Sequence, residues 1–219
     1  MPESPDILRI SEEVTRRVRE RLTDTSPRGK NLISVGISAR HIHLTREVLE
    51  SLFGKGYKLT RDKDLSQPGE FAAKERVAIV GPSGRAMENV RVLGPTRKFT
   101  QIELSRSDGL RLGLDLPVRR SGDLSGTPGL TIVGPRGTVV LREGAVSATR
   151  HIHMTPADAE RFGVVDAQIV RARVKGERGL VFDNVLVRVS DRFALDFHLD
   201  TDDANAAGLE NGSLVEIIV

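Results

Sequence analysis

Four histidines of this chain fall in two matched His-x-His pairs. His41 and His43 lie in "SARHIHLT" (38–45), and His151 and His153 in "ATRHIHMT" (148–155). In a strand, residues i and i+2 project from one face, about 7 Å apart at the backbone. Two imidazoles so placed can converge on one ion through metal–nitrogen bonds of about 2.0–2.1 Å. The chain has no cysteine. Disulfides, thiolate ligands and a cysteine nucleophile are therefore excluded, and a metal site must use imidazole, carboxylate, water or substrate atoms.

A longer repeat supplies a third ligand to each pair. "MENVRVLGPTRKFTQIEL" (87–104) aligns without a gap on "FDNVLVRVSDRFALDFHL" (182–199). Asn89 then matches Asn184, Arg97 matches Arg192, and Glu103 matches His198. His41, His43 and Glu103 form a set of two imidazoles and a carboxylate. His151, His153 and His198 form a set of three imidazoles, so all five histidines are used. Both sets leave room for water or substrate, as a catalytic site requires. Such ligands suit Zn2+, with Co2+, Mn2+ or Fe2+ as alternatives. A lone His-x-His in a β protein is most often a surface pair; two copies in matched contexts argue against that.

Arg40 and Arg150 precede the pairs, so alternation points them to the opposite face, in structural or surface roles. Arg97 lies six residues before Glu103. That is about 20 Å along a straight strand, too far to share a site unless Gly94-Pro95 bends the chain. Arg192 is expected in a structural ion pair.

The elements that must carry these residues are mostly strands. Short Val/Ile/Leu-rich runs such as "RVAIVGPSGR" and "NVLVRVSDR" are broken by Gly, Pro, Asn and Asp, in the style of small barrels or sandwiches. The first His pair reads as continuing an apolar row of Ile33, Val35, Ile37 and Ala39. Short helices are expected after Thr45, after Thr155 with Pro156 in the first turn, and over 202–207 before Gly208. "HMTPADAERFGVVDAQIV" (153–170) echoes "HLDTDDANAAGLENGSLV" (198–215), so ligands recur where a strand hands over to a helix. The stretch 54–75 reads as a loop insertion. Residues 5–22 form an amphipathic helix by period, with Ile7, Ile10, Val14, Val18 and Leu22 on one stripe, followed by a polar linker to residue 30.

Charge is nearly balanced, with a net +3. That does not call for nucleic acid but suits small polyanions. No apolar run reaches the roughly 18 residues of a membrane span, and residues 1–30 are too charged for a secretory signal. The expected compartment is the cytoplasm.

At these motifs the chain resembles the PduL-type phosphate propanoyltransferases, the phosphotransacylases of bacterial microcompartments. "VGISARHIHLT", "NVRVLGPTRKFTQIELS", "LPVRRSGDLSGTPGLTIVGP", "RHIHMTPADA" and "FHLDTDDANAAG" occur in order, from about residue 31 to the C-terminus. The resemblance implies a mainly β fold of two small β-barrels with short helices. It also implies a swap, with 31–41 and 149–219 in one barrel and 42–148 in the other. The repeat alone would divide the chain near 120–130. The resemblance further implies one Zn2+ on His41, His43 and Glu103, a second metal on His151, His153 and His198, and phosphate on Arg97. Acyl-CoA and phosphate are the implied substrates, exchanged reversibly for acyl phosphate and coenzyme A, with propanoyl or acetyl as the acyl group. Residues 5–22 are in character a targeting helix for a microcompartment shell or its cargo. The expected assembly is a homo-oligomer, in the simplest case a dimer. "RRSGD" (119–123) is a candidate for the CoA phosphates. The rival readings are a metal-dependent hydrolase, a cupin-like enzyme, and a metal-stabilised non-catalytic microcompartment component.

Overall fold

A computed structural model of the chain describes residues 31–219, so the expected helix over 5–22 lies outside the described residues. Fifteen strands and four short helices are present among these residues, and they form two sheets. Six strands close a barrel in the order β1 (Leu32–Ser38), β14 (Asp196–Asp200), β11 (His151–Met154), β13 (Leu180–Val189), β12 (Ile169–Val174), β15 (Leu214–Ile218). The second sheet is a curled half-barrel. It runs β7 (Val118–Arg119), β10 (Ala145–Ala148), β6 (Gln101–Glu103), β2 (His41–His43), β5 (Ala86–Gly94), β4 (Phe71–Val80), β8 (Thr131–Val133), β9 (Thr138–Val140). β3 (Arg61–Asp64) pairs on the side with β4. The mainly β, two-barrel expectation holds, one barrel closed and the other half-curled. Both sheets belong to one compact unit, Ile33–Val219.

Each sheet has its own core, because strand alternation gives each an apolar face. Ile33, Val35, Ile152, Val187, Phe197 and Ile217 fill the closed barrel. Ile42, Val77, Val90, Val92, Ile102 and Ile132 fill the half-barrel. β1 breaks one expectation. Ile33 and Val35 face the closed barrel, where β1 runs parallel to β14 with Gly36 opposite His198. The chain leaves that barrel at Ala39–Arg40, and His41 begins β2 in the other sheet. The apolar row and the histidine pair are thus not one strand face.

The expected helices form as α1 (Arg46–Phe53), α3 (Pro156–Phe162) and α4 (Thr201–Ala207). α2 (Arg106–Leu112) is an addition. Each is capped by a side-chain oxygen, from Thr45, Ser105, Thr155 and Asp200 respectively. Thr155 and Asp158 form a reciprocal capping box with Pro156 at the first position. The supposed loop insertion is also partly ordered into sheet, since β3 and the start of β4 fall inside it.

Candidate active site

One rule places four of the six proposed ligands, and strand alternation adds His41 and His151 to the same faces. His43, Glu103, His153 and His198 each stand two residues before a helix cap, Thr45, Ser105, Thr155 and Asp200. The cap stops the strand, and the residue two places back keeps its strand face. That face looks away from the core. Ile42 and Ile102 point into the half-barrel and Ile152 and Phe197 into the closed barrel, so His41, His43, Glu103, His151, His153 and His198 point the other way. The registers match across the halves: His41 lies opposite Glu103, and His151 opposite His198, both antiparallel.

All six line a single cleft of about 1220 Å³, together with Arg97. That exceeds the ~300–1,000 Å³ of a typical small-molecule pocket, enough for an extended substrate. Seven Lys and Arg side chains and five Asp and Glu side chains line it, so the cleft leans cationic.

The first set converges most tightly. Ligand atoms of His41, His43 and Glu103 all lie within 4.8 Å of one another, the one such group among the described residues. His41 Nδ1 donates to the Ala39 carbonyl at 2.8 Å, which leaves the Nε2 lone pair facing Glu103 Oε2 at 3.5 Å. His43 Nδ1 is buried with no hydrogen-bond partner. A buried polar atom left so is costly unless a ligand satisfies it. A divalent cation fits this donor set.

The second set repeats the pattern. His151 Nδ1 donates to the Thr149 carbonyl at 2.8 Å, and His153 Nδ1 is buried and unpaired. Ring centroids of His151, His153 and His198 lie 4.7, 5.0 and 5.2 Å apart. His198 Nε2 sits 3.2 Å from Asp196 Oδ2 but off the line of a hydrogen bond, so it too is unsatisfied. This set of imidazole nitrogens, two of them buried without a hydrogen-bond partner, also suits a cation.

Three of the rings, His43, His151 and His153, are held neutral. Burial pushes His43 well below the usual imidazole range, helped by the charges of His41 and Arg97. Burial, then the His198 charge, lowers His151 to about 4. Burial and the neighbouring His151 and His198 lower His153 to about 2. Neutral imidazole is the form that binds metal.

Arg97 reaches the cleft because the chain turns after β5 at Gly94-Pro95. Its amide donates to the Leu44 carbonyl at 2.9 Å, Nη2 to Glu70 Oε1 at 2.6 Å, and Nη1 to Ser121 Oγ at 3.4 Å. Arg40 and Arg150 both make ion pairs, but Arg40 also lines the cleft, against the expectation of the opposite face, because the chain crosses between the sheets at Ala39–Arg40 and so breaks the strand alternation. Arg40 Nε lies 2.9 Å from Asp108 Oδ2, and Arg150 Nε 3.6 Å from Asp203 Oδ2. These are equivalent positions of the repeat. Arg192 departs from expectation: it stands exposed along the cleft and makes no ion pair among the described residues. Of "RRSGD", Ser121 lines the cleft but Arg119 and Arg120 do not.

Three residues in or directly behind the cleft escape a reading of the sequence. Gln101, fully buried, donates to Glu103 Oε1 and to Ser121 Oγ (3.0 Å) and accepts from the Gly122 amide (2.8 Å). It orients the carboxylate ligand and ties down the loop beside Arg97. Gln67 spans the two sheets: Nε2 donates to the Ala194 carbonyl at 3.0 Å and Oε1 accepts from the Ala194 amide at 3.2 Å. Arg188, half-buried, reaches His153 Nε2 with Nη1 at 3.3 Å. Strand parity placed Gln101 with Glu103 and Arg188 opposite the core residue Val187, but nothing in the spacing marked either as polar and inward.

Two imidazole-lined ends of twin sheets, a carboxylate and a guanidinium around one polar cleft define a metal-capable anion-handling site. The comparisons place it. The family model for phosphate propanoyltransferase matches residues 34–210. A phosphate propanoyltransferase of Thermotoga maritima is 60% identical over 187 residues, 85% of this chain and 89% of that one. Those of Listeria monocytogenes and Clostridioides difficile are 48% and 50% identical over 212 and 209 residues, covering 97% and 95% of this chain and 95% of each relative. The chain belongs to the phosphate propanoyltransferase family, a family of phosphotransacylases.

Proposed function

We propose that the protein transfers a short acyl group, propanoyl or acetyl, between coenzyme A and inorganic phosphate, reversibly and without an acyl-enzyme. The observation that carries this reading is the meeting of both ligand sets and Arg97 in one cleft, in a chain of this family. His41, His43 and Glu103 would hold one divalent ion, and His151, His153 and His198 a second, with Zn2+ the best match to the donors. When bound, such ions supply Lewis-acid stabilisation of a sulfur leaving group and of a developing oxyanion.

The chain's own residues do the positioning. Glu70 and the Leu44 carbonyl fix Arg97, whose remaining N–H groups bind phosphate oxygens. The phosphate oxygen attacks the thioester carbonyl carbon, the C–S bond breaks, and the proton released by phosphate ends on the CoA sulfur. Holding both reactants in one cleft lowers the barrier by making the encounter effectively intramolecular. Direct transfer is favoured because the chain has no cysteine, and the hydrogen bonds of His41, His151 and His153 go to backbone carbonyls or Arg188, never to serine. Residues 31–41 with 149–219, and 42–148, are the two lobes of the proposed organisation. The amphipathic stretch 5–22 is the proposed contact to a microcompartment shell or cargo, with the enzyme in its lumen as a homo-oligomer.

The test is free-thiol release from propanoyl-CoA with and without phosphate, with acyl phosphate trapped as its hydroxamate. Phosphate-dependent release with trapped product is expected. Release without phosphate would identify a hydrolase, and none at all a non-catalytic component.

A further inference from the structure

The repeat pairs Leu93 with Arg188: one lies opposite His43, the other opposite His153, in matching registers. A scaffold that accepts leucine at this position in one half does not need a guanidinium there for folding. Arg188 is also the one half-buried arginine of the cleft without a carboxylate partner among the described residues; Arg76 and Arg192 lack one too but are exposed. Arg40, Arg91 and Arg97 each contact a carboxylate, of Asp108, Asp62 and Glu70. Arg188 is half-buried and has no carboxylate within ion-pair distance among the described residues. One nitrogen, Nη1, meets the neutral His153 ring at 3.3 Å, and its guanidinium carbon lies 5.4 Å from the centre of the Phe193 ring. These contacts hold the group while its Nε and Nη2 keep no partner among the described residues.

Arg97 faces the same cleft from the other sheet, and its charge opposes that of Arg188. Two guanidiniums lining one partly desolvated cleft repel each other, and an anion bound by both relieves that repulsion. The charge of the ligand sets points the same way. The first set contains the carboxylate Glu103, whereas the second is three imidazoles with Arg188 beside them, although Asp196 sits behind His198.

Resting on the acyltransfer reading above, we propose that Arg188 is a second phosphate-binding residue, closing with Arg97 a clamp that seats the acceptor phosphate against the His151/His153/His198 set. The planar fork of one arginine comes from the half-barrel loop and that of the other from β13, so phosphate binding bridges the two sheets. The occupant is inorganic phosphate rather than a phosphate of CoA, because Arg188 touches His153 at the reacting end of the cleft.

The experiment compares wild type, Arg188→Ala and Arg188→Lys with their metals in place, checked by elemental analysis. Loss of a charge-assisted fork should raise the phosphate KM of Arg188→Ala roughly 10- to 100-fold, with the propanoyl-CoA KM changed less than about threefold. The rise in unfolding midpoint that inorganic phosphate alone gives wild type should shrink or vanish in Arg188→Ala, be partly retained in Arg188→Lys, and added guanidinium should lower the raised KM. An unchanged phosphate KM, or equal increases in both KM values, overturns the clamp while leaving the acyltransferase reading intact. Wild type that consumes acyl-CoA without phosphate overturns that reading instead. If Arg188→Ala does not fold, the same two KM values and the phosphate-induced shift are read on Arg188→Lys and Arg188→Gln, and an unmoved phosphate KM in both decides against the clamp.

Discussion

The two halves of this protein share a local strand-pairing pattern around the histidine pairs, although one sheet closes into a barrel, the other does not, and most side chains differ. In both, a His-x-His strand pairs antiparallel with the strand of its third ligand and parallel with a strand of the repeat. In both, an asparagine takes a left-handed conformation, Asn89 at φ 59° and Asn184 at φ 57°. In both, an arginine reaches an aspartate of the helix that follows the third-ligand strand, Arg40 to Asp108 and Arg150 to Asp203. Three differences bear on the cleft: Glu103 against His198 and Leu93 against Arg188 line it, and the buried Gln101, behind Glu103, stands against Asp196. The repeat keeps a frame that holds three donors, while both core residues, such as Ile102 against Phe197, and cleft residues differ between the halves. One half became anionic at its donors and the other neutral with a free guanidinium beside it, which suits two different reactants.

The largest effect expected is from removing one imidazole in either half. His43→Ala and His153→Ala should each reduce turnover more than ~100-fold and each lose one equivalent of metal by elemental analysis. Full activity in either variant would show that the two sets are not partners. A subtler change exchanges identities. Glu103→His gives both halves three imidazoles; metal should remain bound while turnover falls roughly 10- to 100-fold, since the donor charge and its Gln101 contact are lost. If kcat is unmoved, the charge difference between halves has no chemical role.

The acid limb of stability should come next. His43, His151 and His153 are depressed in the folded protein, the last two to about 4 and about 2. Below the ordinary value of about 6.5, the unfolded chain binds protons that the folded chain refuses. Stability is then fully present above pH ~7 and falls as pH drops from about 6.5 toward those folded values, by up to ~1.4 kcal/mol per pH unit for each group. Metal release acts in the same direction. Denaturant midpoints between pH 8 and 4 measure the slope, and His153→Gln should flatten it.

The smallest effect tests whether the frames are equivalent. Asn89→Ala and Asn184→Ala each force a Cβ without a compensating polar side chain into the left-handed region, costing ~1–2 kcal/mol. The two losses should agree, with Asn→Gly near neutral at both sites. A large loss in one half alone would break the symmetry on which the comparison rests.

Much of the fourfold strand-to-cap arrangement was legible in sequence, because capping and period are local. α2 is not announced by its own period, although extending the repeat nine residues past Leu104 finds it: Ser105 falls on Asp200, and Gly113 on Gly208, both glycines left-handed helix ends. "SRSDGLRLG" lacks the continuous apolar stripe that announces a helix. Gln101 and Gln67 were illegible for another reason. A buried glutamine is identified by its partners, here the Gly122 amide and the Ala194 backbone, and those lie 21 and 127 residues away.

By itself the sequence determined which side chains can bind a cation, that there are two sets of them, and that each rides the end of a short strand before a capped helix. Those are matters of residue type, alternation and neighbours a few positions apart. Only the tertiary structure decided that β1 leaves its neighbours to close the other barrel, that the turn after Gly94 carries Arg97 to the ligands, and that Arg188 faces the cleft without a carboxylate. Those depend on which strands find each other to bury their apolar faces, a choice made across the whole chain rather than within any window of it.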